Sequence, residues 1–249
     1  MLIDTHVHVG AFYNLYYTPL FVAKVMRDLG VCNYVVSSTT TCERDYEKAT
    51  AEIKLLLDID SSKIFPCLWL TEEHFSFIQN NSLGNQIKWS CLKIHAGLSQ
   101  GEWNPNKKIT IKLLEYADNH RLPLLIHTGY DNWCCASLYK NLIAQFPKVK
   151  IILAHGRPLD ETIEMVAKYE NAYTDTAFME VSDIVKFVRE GLSHKVLWGS
   201  DFPIFPKQIK KEFEIDEYQN KLHSLKKICS QSEFDRITFK NAQTVFSVI

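Results

Sequence analysis

The chain holds 249 residues, 46% hydrophobic and 23% charged, a composition ordinary for a globular protein with a full-sized core. Its formal net charge of −1 lacks the basic surplus of proteins that track phosphate backbones, so nucleic acid is not an expected partner. No apolar run reaches the ~18 residues that span a bilayer, and Met1 leads straight into Leu-Ile-Asp, so neither membrane nor secretory leader is expected.

Eight short, apolar, β-branched-rich runs recur along the chain: Leu2–His8, Val31–Ser37, Lys63–Leu70, Trp89–His95, Leu122–His127, Val149–His155, Ala172–Asp175 and Lys195–Asp201. Segments of helical period separate them, as in Asp45-Tyr46…Ile53-Lys54…Leu57 and Ile111…Leu114-Glu115…Asp118. Strands alternating with helices predict βαβ units, and strands this apolar are covered on both faces as parallel strands are. Eight such units predict an α/β fold of the (β/α)8 TIM-barrel type. An open doubly wound sheet competes, but the Gly-x-Gly-x-x-Gly turn of many such folds is absent. A polar stretch, Lys210–Asn220, then leads into two helices, the second opened by the capping-box pattern Ser230-Gln231-Ser232-Glu233. Residues 1–249 are expected to form one domain.

Seven cysteines show no disulfide-framework spacing and no Cys-x-x-Cys. Cys32, Cys67 and Cys91 fall inside apolar runs and read as small hydrophobes of a reducing compartment, so a cytoplasmic location is expected.

Five of nine histidines, His6, His8, His95, His127 and His155, stand at the C-terminal ends of predicted strands. That end is the catalytic face of an α/β barrel. Strand alternation puts Asp4, His6 and His8 on one face, so that both imidazoles could approach one ion, although an isolated His-x-His is as readily a pair of core histidines. Leu124–His127 and Ile151–His155 each end in His followed closely by Gly, which suits a sharp exit from the strand. Asp201 ends a buried run and needs a cation or donors; capping the next helix would serve equally. Lys93 and His95 share a face of the fourth run. His74, His120, His194 and His223 fall on helices, turns or the opposite barrel end.

The motifs Asp4-Thr5-His6-Val7-His8, Leu125-Ile126-His127-Thr128-Gly129, Ile152-Leu153-Ala154-His155-Gly156 and Trp198-Gly199-Ser200-Asp201-Phe202-Pro203 together resemble the amidohydrolase superfamily. More narrowly, they resemble its amidohydrolase-related branch, which includes aminocarboxymuconate-semialdehyde decarboxylase-like enzymes; Asn241-Ala242…Phe246 is similar to that branch's closing helix. The resemblance implies a metal-dependent enzyme whose ligands are His6, His8, His127 and Asp201. His155 would position or deprotonate the activated water, with Asp201 sharing the proton transfer.

Imidazole and carboxylate ligands suit Zn2+, and Mn2+, Fe2+ or Co2+ would tolerate them; about one ion per chain is expected. Superfamily relatives with two metals bridge them with a carboxylated lysine on the fourth strand, the place of Lys93, but the branch resembled is mainly mononuclear. Lys93 and His95 are therefore expected to contact substrate or support the ligands. Arg157 stands where the branch often has glycine and could clamp a substrate carboxylate, or turn to Asp160. Aromatics in the first loop (Phe12-Tyr13…Tyr16-Tyr17) and the fifth (Tyr130…Trp133) could wall a pocket.

The expected activity is hydrolysis of a small-molecule amide, ester or lactone. The alternative is a lyase, decarboxylating or hydrating a small unsaturated or aromatic carboxylic acid; a non-catalytic metal-binding barrel ranks third. The expected partner is a small-molecule substrate, and a homodimer is compatible with the sequence.

Overall fold

The computed structural model describes residues 1–12, 14–81, 87–98, 102–204 and 215–246. Tyr13 and the first part of the polar Lys210–Asn220 stretch lie outside them. The strands are β1 (Ile3–Phe12), β2 (Leu15–Tyr17), β3 (Asn33–Ser38), β4 (Ile64–Trp69), β5 (Cys91–Ile94), β6 (Leu124–His127), β7 (Ile151–Ala154), β8 (Ala172–Asp175) and β9 (Val196–Leu197). Between and after them run α1 (Pro19–Asp28), α2 (Tyr46–Asp60), α3 (Glu72–Asn81), α4 (Lys108–His120), α5 (Lys140–Gln145), α6 (Leu159–Lys168), α7 (Val181–Arg189), α8 (Ile215–Ile228), α9 (Gln231–Asp235) and α10 (Asn241–Phe246). None of the described helices is long and apolar enough to cross a membrane.

The strands form one sheet in the order β2-β1-β3-β4-β5-β6-β7-β8-β9, parallel throughout except for the β1–β2 hairpin. The sheet then closes on itself. Thr5 N donates to Trp198 O at 2.8 Å, Asp201 N to His6 O at 2.8 Å and His8 N to Phe202 O at 2.6 Å, and Val7 bridges Phe202 in parallel. Eight parallel strands, each but the last followed by a described helix before the next, make a (β/α)8 barrel with right-handed crossovers expected of such units.

Alternation along each strand sorts side chains into two apolar layers. Leu92, Ile94, Leu124, Ile126, Ile151 and Leu153 join the large cluster between sheet and helices. Ile3, Val35, Cys67, Cys91, Leu125, Ile152 and Leu197 fill the barrel interior, with Ala242, Val245 and Phe246 of α10 packed against them. That plug fills the lower half of the barrel with apolar atoms. One step of two further along, the same interior faces of β5 and β6 present Lys93 and His127.

β1 departs from simple alternation. Its register against β3 shifts between Asp4 and Val7, so Ile3 joins the interior while Asp4 reaches Tyr218 of α8. Asp4 thus does not share a face with His6 and His8; the irregularity turns them in opposite directions. β1 also runs past His8 to Phe12 and folds back on β2, with Gly10 paired to Tyr17. Gly10 (φ 98°) is required there, because a side chain would collide with Thr40 and Glu52. Ser230 caps α9 reciprocally with Glu233, and α9 continues through a π turn at Arg236–Lys240 into α10.

Candidate functional site

The upper end of the barrel collects the strand-end histidines around Asp201. Its Oδ1 lies 2.9 Å from His6 Nε2 and 3.0 Å from His8 Nε2. Lys93 Nζ lies 2.7 Å from His6 Nε2 and 3.0 Å from His8 Nε2, at the centre of the group. On the far side His155 Nε2 and His127 Nδ1 share a hydrogen bond of 3.0 Å. The His6 and His155 rings are 5.0 Å apart, and His95 stacks on His127 at 3.5 Å. All eight residues singled out from the sequence lie at this end of the barrel. His6, His8, Asp201 and Lys93 converge on one point; beside them His95 stacks on His127, which meets His155 edge-on, and Arg157 stands at the mouth over Phe178.

Two of these residues are aimed by unusual backbone. His155 has φ 70° and Asp201 φ 60°, the left-handed region that non-glycine residues seldom adopt. Strand alternation alone would turn the residue after Ala154 outward; the left-handed step at His155 redirects the ring toward His6. Such strain persists only where surrounding contacts impose it, and it clusters at functional sites.

The residues supporting the imidazoles include one the sequence reading missed. Asp175, fully buried at the end of β8, accepts from His6 Nδ1 at 2.8 Å and from the backbone amides of His155 and Ala177 at 3.0 Å each. Since a carboxylate only accepts, His6 carries its proton on Nδ1 and turns Nε2 inward. Ser37 does similar service for His8, its Oγ 3.0 Å from Nδ1. Asp4 accepts from the amides of His6 (3.2 Å) and Ser200 (3.0 Å), tying the two ends of the closing seam together. The available signal for Asp175 was an aspartate ending an apolar run, the same kind that marked Asp201.

Charge in this buried cluster is unevenly held. Burial raises the Asp201 carboxyl, but His6 and His8 outweigh it and keep it well below the usual carboxylate range. Asp175 is lowered in the same way against its burial, chiefly by His6. Burial and Lys93 push His6 down, yet Asp201 and Asp175 together raise it to about 9. Burial, then Lys93, lowers His8 to about 3 and His95 to about 3. Burial and His95 hold His127 well below its ordinary value. Burial lowers His155 to about 4 despite Asp201, and its Nδ1 is a buried atom without a hydrogen-bond partner. Burial also lowers Lys93, which is only 1% exposed. At neutral pH the cluster therefore holds a protonated His6 beside the Asp201 carboxylate, with His8, His95, His127 and His155 neutral around them.

These donors fit a divalent cation. Ligand atoms about 2.0–2.2 Å from an ion and subtending 90–109° stand roughly 2.8–3.6 Å apart. The 2.9 and 3.0 Å separations of Asp201 from the two imidazoles fall in that range. Among the described residues, the His/Cys/Asp/Glu groups with ligand atoms within 4.8 Å of one another are His6–His8–Asp201 and His6–His155–Asp175. His127 belongs to neither and is tied to His155 instead.

Above the cluster, aromatic rings narrow the mouth. Trp69 lies 5.4 Å from His8 and stacks on His95 at 6.0 Å, and Phe178 stacks on His155 at 4.9 Å. The Arg157 guanidinium sits 5.0 Å over Phe178 and 5.8 Å over Tyr130, and donates to Phe178 O at 3.5 Å. Among the described residues it has no carboxylate within 4.0 Å, Asp160 included. Tyr130 and Trp133 of the same rim are exposed.

The family model described as amidohydrolase matches residues 93–248. No curated protein sequence matches the chain. Solved structures do. An amidohydrolase from Burkholderia multivorans with bound zinc superimposes with a TM-score of 0.74 at 10% identity, covering 100% of both chains. A 4-oxalomesaconate hydratase from Rhodopseudomonas palustris gives 0.69 at 15%, covering 99% of this chain and 96% of its own. A 2,6-dihydroxybenzoate decarboxylase from Rhizobium gives 0.68 at 13%, covering 99% and 98%. At these identities the likeness is one of fold.

Proposed function

Because the chain belongs to the amidohydrolase family, we propose that it is a metal-dependent hydrolase of a small-molecule amide, ester or lactone. In this reading His6, His8 and Asp201 hold one divalent ion, for which mixed imidazole and carboxylate ligands suit Zn2+; His127, which bonds His155 outside that group, is the fourth ligand that the family resemblance implies. When bound, the ion supplies Lewis-acid activation of water and of the substrate oxygen.

The observation that carries the reading is the state of His155. It is buried, neutral, aimed into the cluster by its left-handed backbone, and has an unpartnered Nδ1. A neutral imidazole in that position takes a proton from the attacking water and returns it to the leaving oxygen or nitrogen. Asp175 keeps His6 in one tautomer and anchors the His155 backbone amide, so one carboxylate orients both sides of the reaction. Phe178 and Trp69 narrow access for bulk water, which strengthens every charge interaction inside.

One observation favours a second reading. Arg157, a cation without a carboxylate partner among the described residues, stands at the mouth and suits a substrate carrying its own carboxylate. A substrate that is to lose carbon dioxide necessarily carries one. The experiment loads the purified protein with Zn2+, measures metal per chain, and screens lactones, esters and amides beside aromatic and unsaturated carboxylic acids. Metal-dependent ring or ester opening supports the hydrolase. Carbon dioxide release or water addition without hydrolysis replaces it with the lyase.

A further inference from the structure

A cavity of about 260 Å3 lies outside the imidazole cluster, between the turn after β8, the chain leaving β9 and helix α8. Its walls include Phe178, Trp198, Tyr218 and the Gly199-Ser200 backbone, with Lys221 and Ser224 of α8 on the opposite side. The polar atoms of the aromatic wall are already engaged: Trp198 Nε1 donates to Tyr218 Oη at 2.7 Å, which in turn donates to Asp4 at 3.2 Å. That wall therefore offers faces and edges, with little call for hydrogen bonds from a guest.

Lys221 is different. Its Nζ donates to Thr176 O at 2.6 Å and lies 5.6 Å from the centre of the Trp198 ring. No carboxylate comes within 4.0 Å of it among the described residues; Asp175, Glu180, Asp4 and Glu217 act on it from farther away, Glu180 and Glu217 exposed at the rim. An ammonium has three N–H donors, and a single backbone carbonyl answers one. Lys221 is half-buried, so its remaining donors are left to water, and an anion brought into the cavity can take that water's place. Burial already pushes the Lys221 ammonium down to about 8.

The size sets a limit on the guest. The volume falls below the ~300–1,000 Å3 of pockets for drug-sized ligands, so it accepts roughly one ring with a short substituent. We propose that this cavity binds a small carboxylate carrying one flat apolar ring, its carboxylate on Lys221 and its ring against Trp198 and Tyr218, at a site separate from the imidazole cluster. Phe178 connects the two places, since it lines the cavity and also stacks on His155. The inference does not depend on which reaction the imidazole cluster performs.

The test titrates the purified protein with 4-fluorobenzoate and follows the 19F resonance. Saturable binding is expected with a Kd on the order of 1 mM, as a ligand of so few atoms allows. Lys221→Met should weaken it by about tenfold or more, and Lys221→Arg should restore most of it. Ser224→Trp, which leaves Lys221 and its carbonyl partner in place, should block the cavity by filling it. Thermal melts of each variant establish that it is folded, and Ser224→Trp decides the matter if Lys221→Met is not. Binding must persist after EDTA treatment. Absence of saturable binding to the native protein, indifference to Ser224→Trp and Lys221→Met, or loss of binding with EDTA would overturn the proposal.

Discussion

Replacing Asp175 with asparagine tests whether the buried carboxylate sets the inward-facing atom of His6. The native carboxylate satisfies three donors, two backbone amides on Oδ1 and His6 Nδ1 on Oδ2. An amide side chain can keep its oxygen on the backbone N–H groups, but its NH2 then faces His6 Nδ1. Two donors cannot share that contact, so a neutral His6 must move its proton to Nε2, the atom 2.9 Å from Asp201 and the one that would face the ion in the proposed site. Removing the partner that orients a metal-bound histidine typically costs 10–100-fold in metal affinity, about 1.4–2.7 kcal/mol. Competition of the Asp175→Asn variant against a chromophoric Zn2+ chelator should show a Kd weakened by that factor, with a melting curve still cooperative. A Kd within threefold of native, measured beside a His6→Ala variant that loses the metal, would refute the reasoning.

His155→Ala should lower turnover by about 10²–10⁴-fold while metal per chain stays unchanged; loss of metal would make the residue a ligand. Because His6 is raised to about 9, it is protonated at neutral pH and protons compete with the ion. Apparent Zn2+ affinity should therefore rise with pH, about tenfold per unit between pH 7 and 9 for one released proton, and a flat profile in chelator competition would contradict the assignment. The acid limb of activity should follow His155 and fall only as pH approaches about 4, where its base form is lost; a limb near 6.5 would mean another group is the base. Asn171 Nδ2 holds the carbonyls of Ile143 and Phe146 at 3.0 Å and Val149 at 3.1 Å. Asn171→Ala should destabilise the protein by about 2–3 kcal/mol in urea unfolding, and a cost near zero would show that water replaces the amide.

The barrel was legible because its parallel strands are apolar on both faces and its histidines stand at one end of them. Cys91 and Lys93, or Leu125 and His127, follow from alternation alone: an apolar residue below, a polar one above. Asp4 escaped that logic. The register shift in β1 is set by pairing with β3, and no pattern within five residues reports it. Asp175 escaped for another reason: it acts on His6 from 169 positions away, and an aspartate ending a short strand has no local mark of such a partner. The β1–β2 hairpin read as an aromatic loop because its pairing joins residues of the rim rather than of the core. Phe178 and Tyr218 matter only through three-dimensional neighbours, His155 and Trp198, that lie on other elements.

The seam between β1 and the segment after β9 has a consequence for how the protein is made. His6 and His8 leave the ribosome well before their partner Asp201, which emerges 193 positions after His8. At about 5–20 residues per second, the first strand waits roughly 10–40 s for the neighbour that closes it. During that interval β1 is an open parallel edge whose two imidazoles lack the Asp201 carboxylate, and the most distant pairings in the fold are the last to form. On the proposed reading, an ion offered to the nascent chain would meet half a site. Loading would then be coupled to completion of the ring, and ion capture would report on the closing step of folding itself.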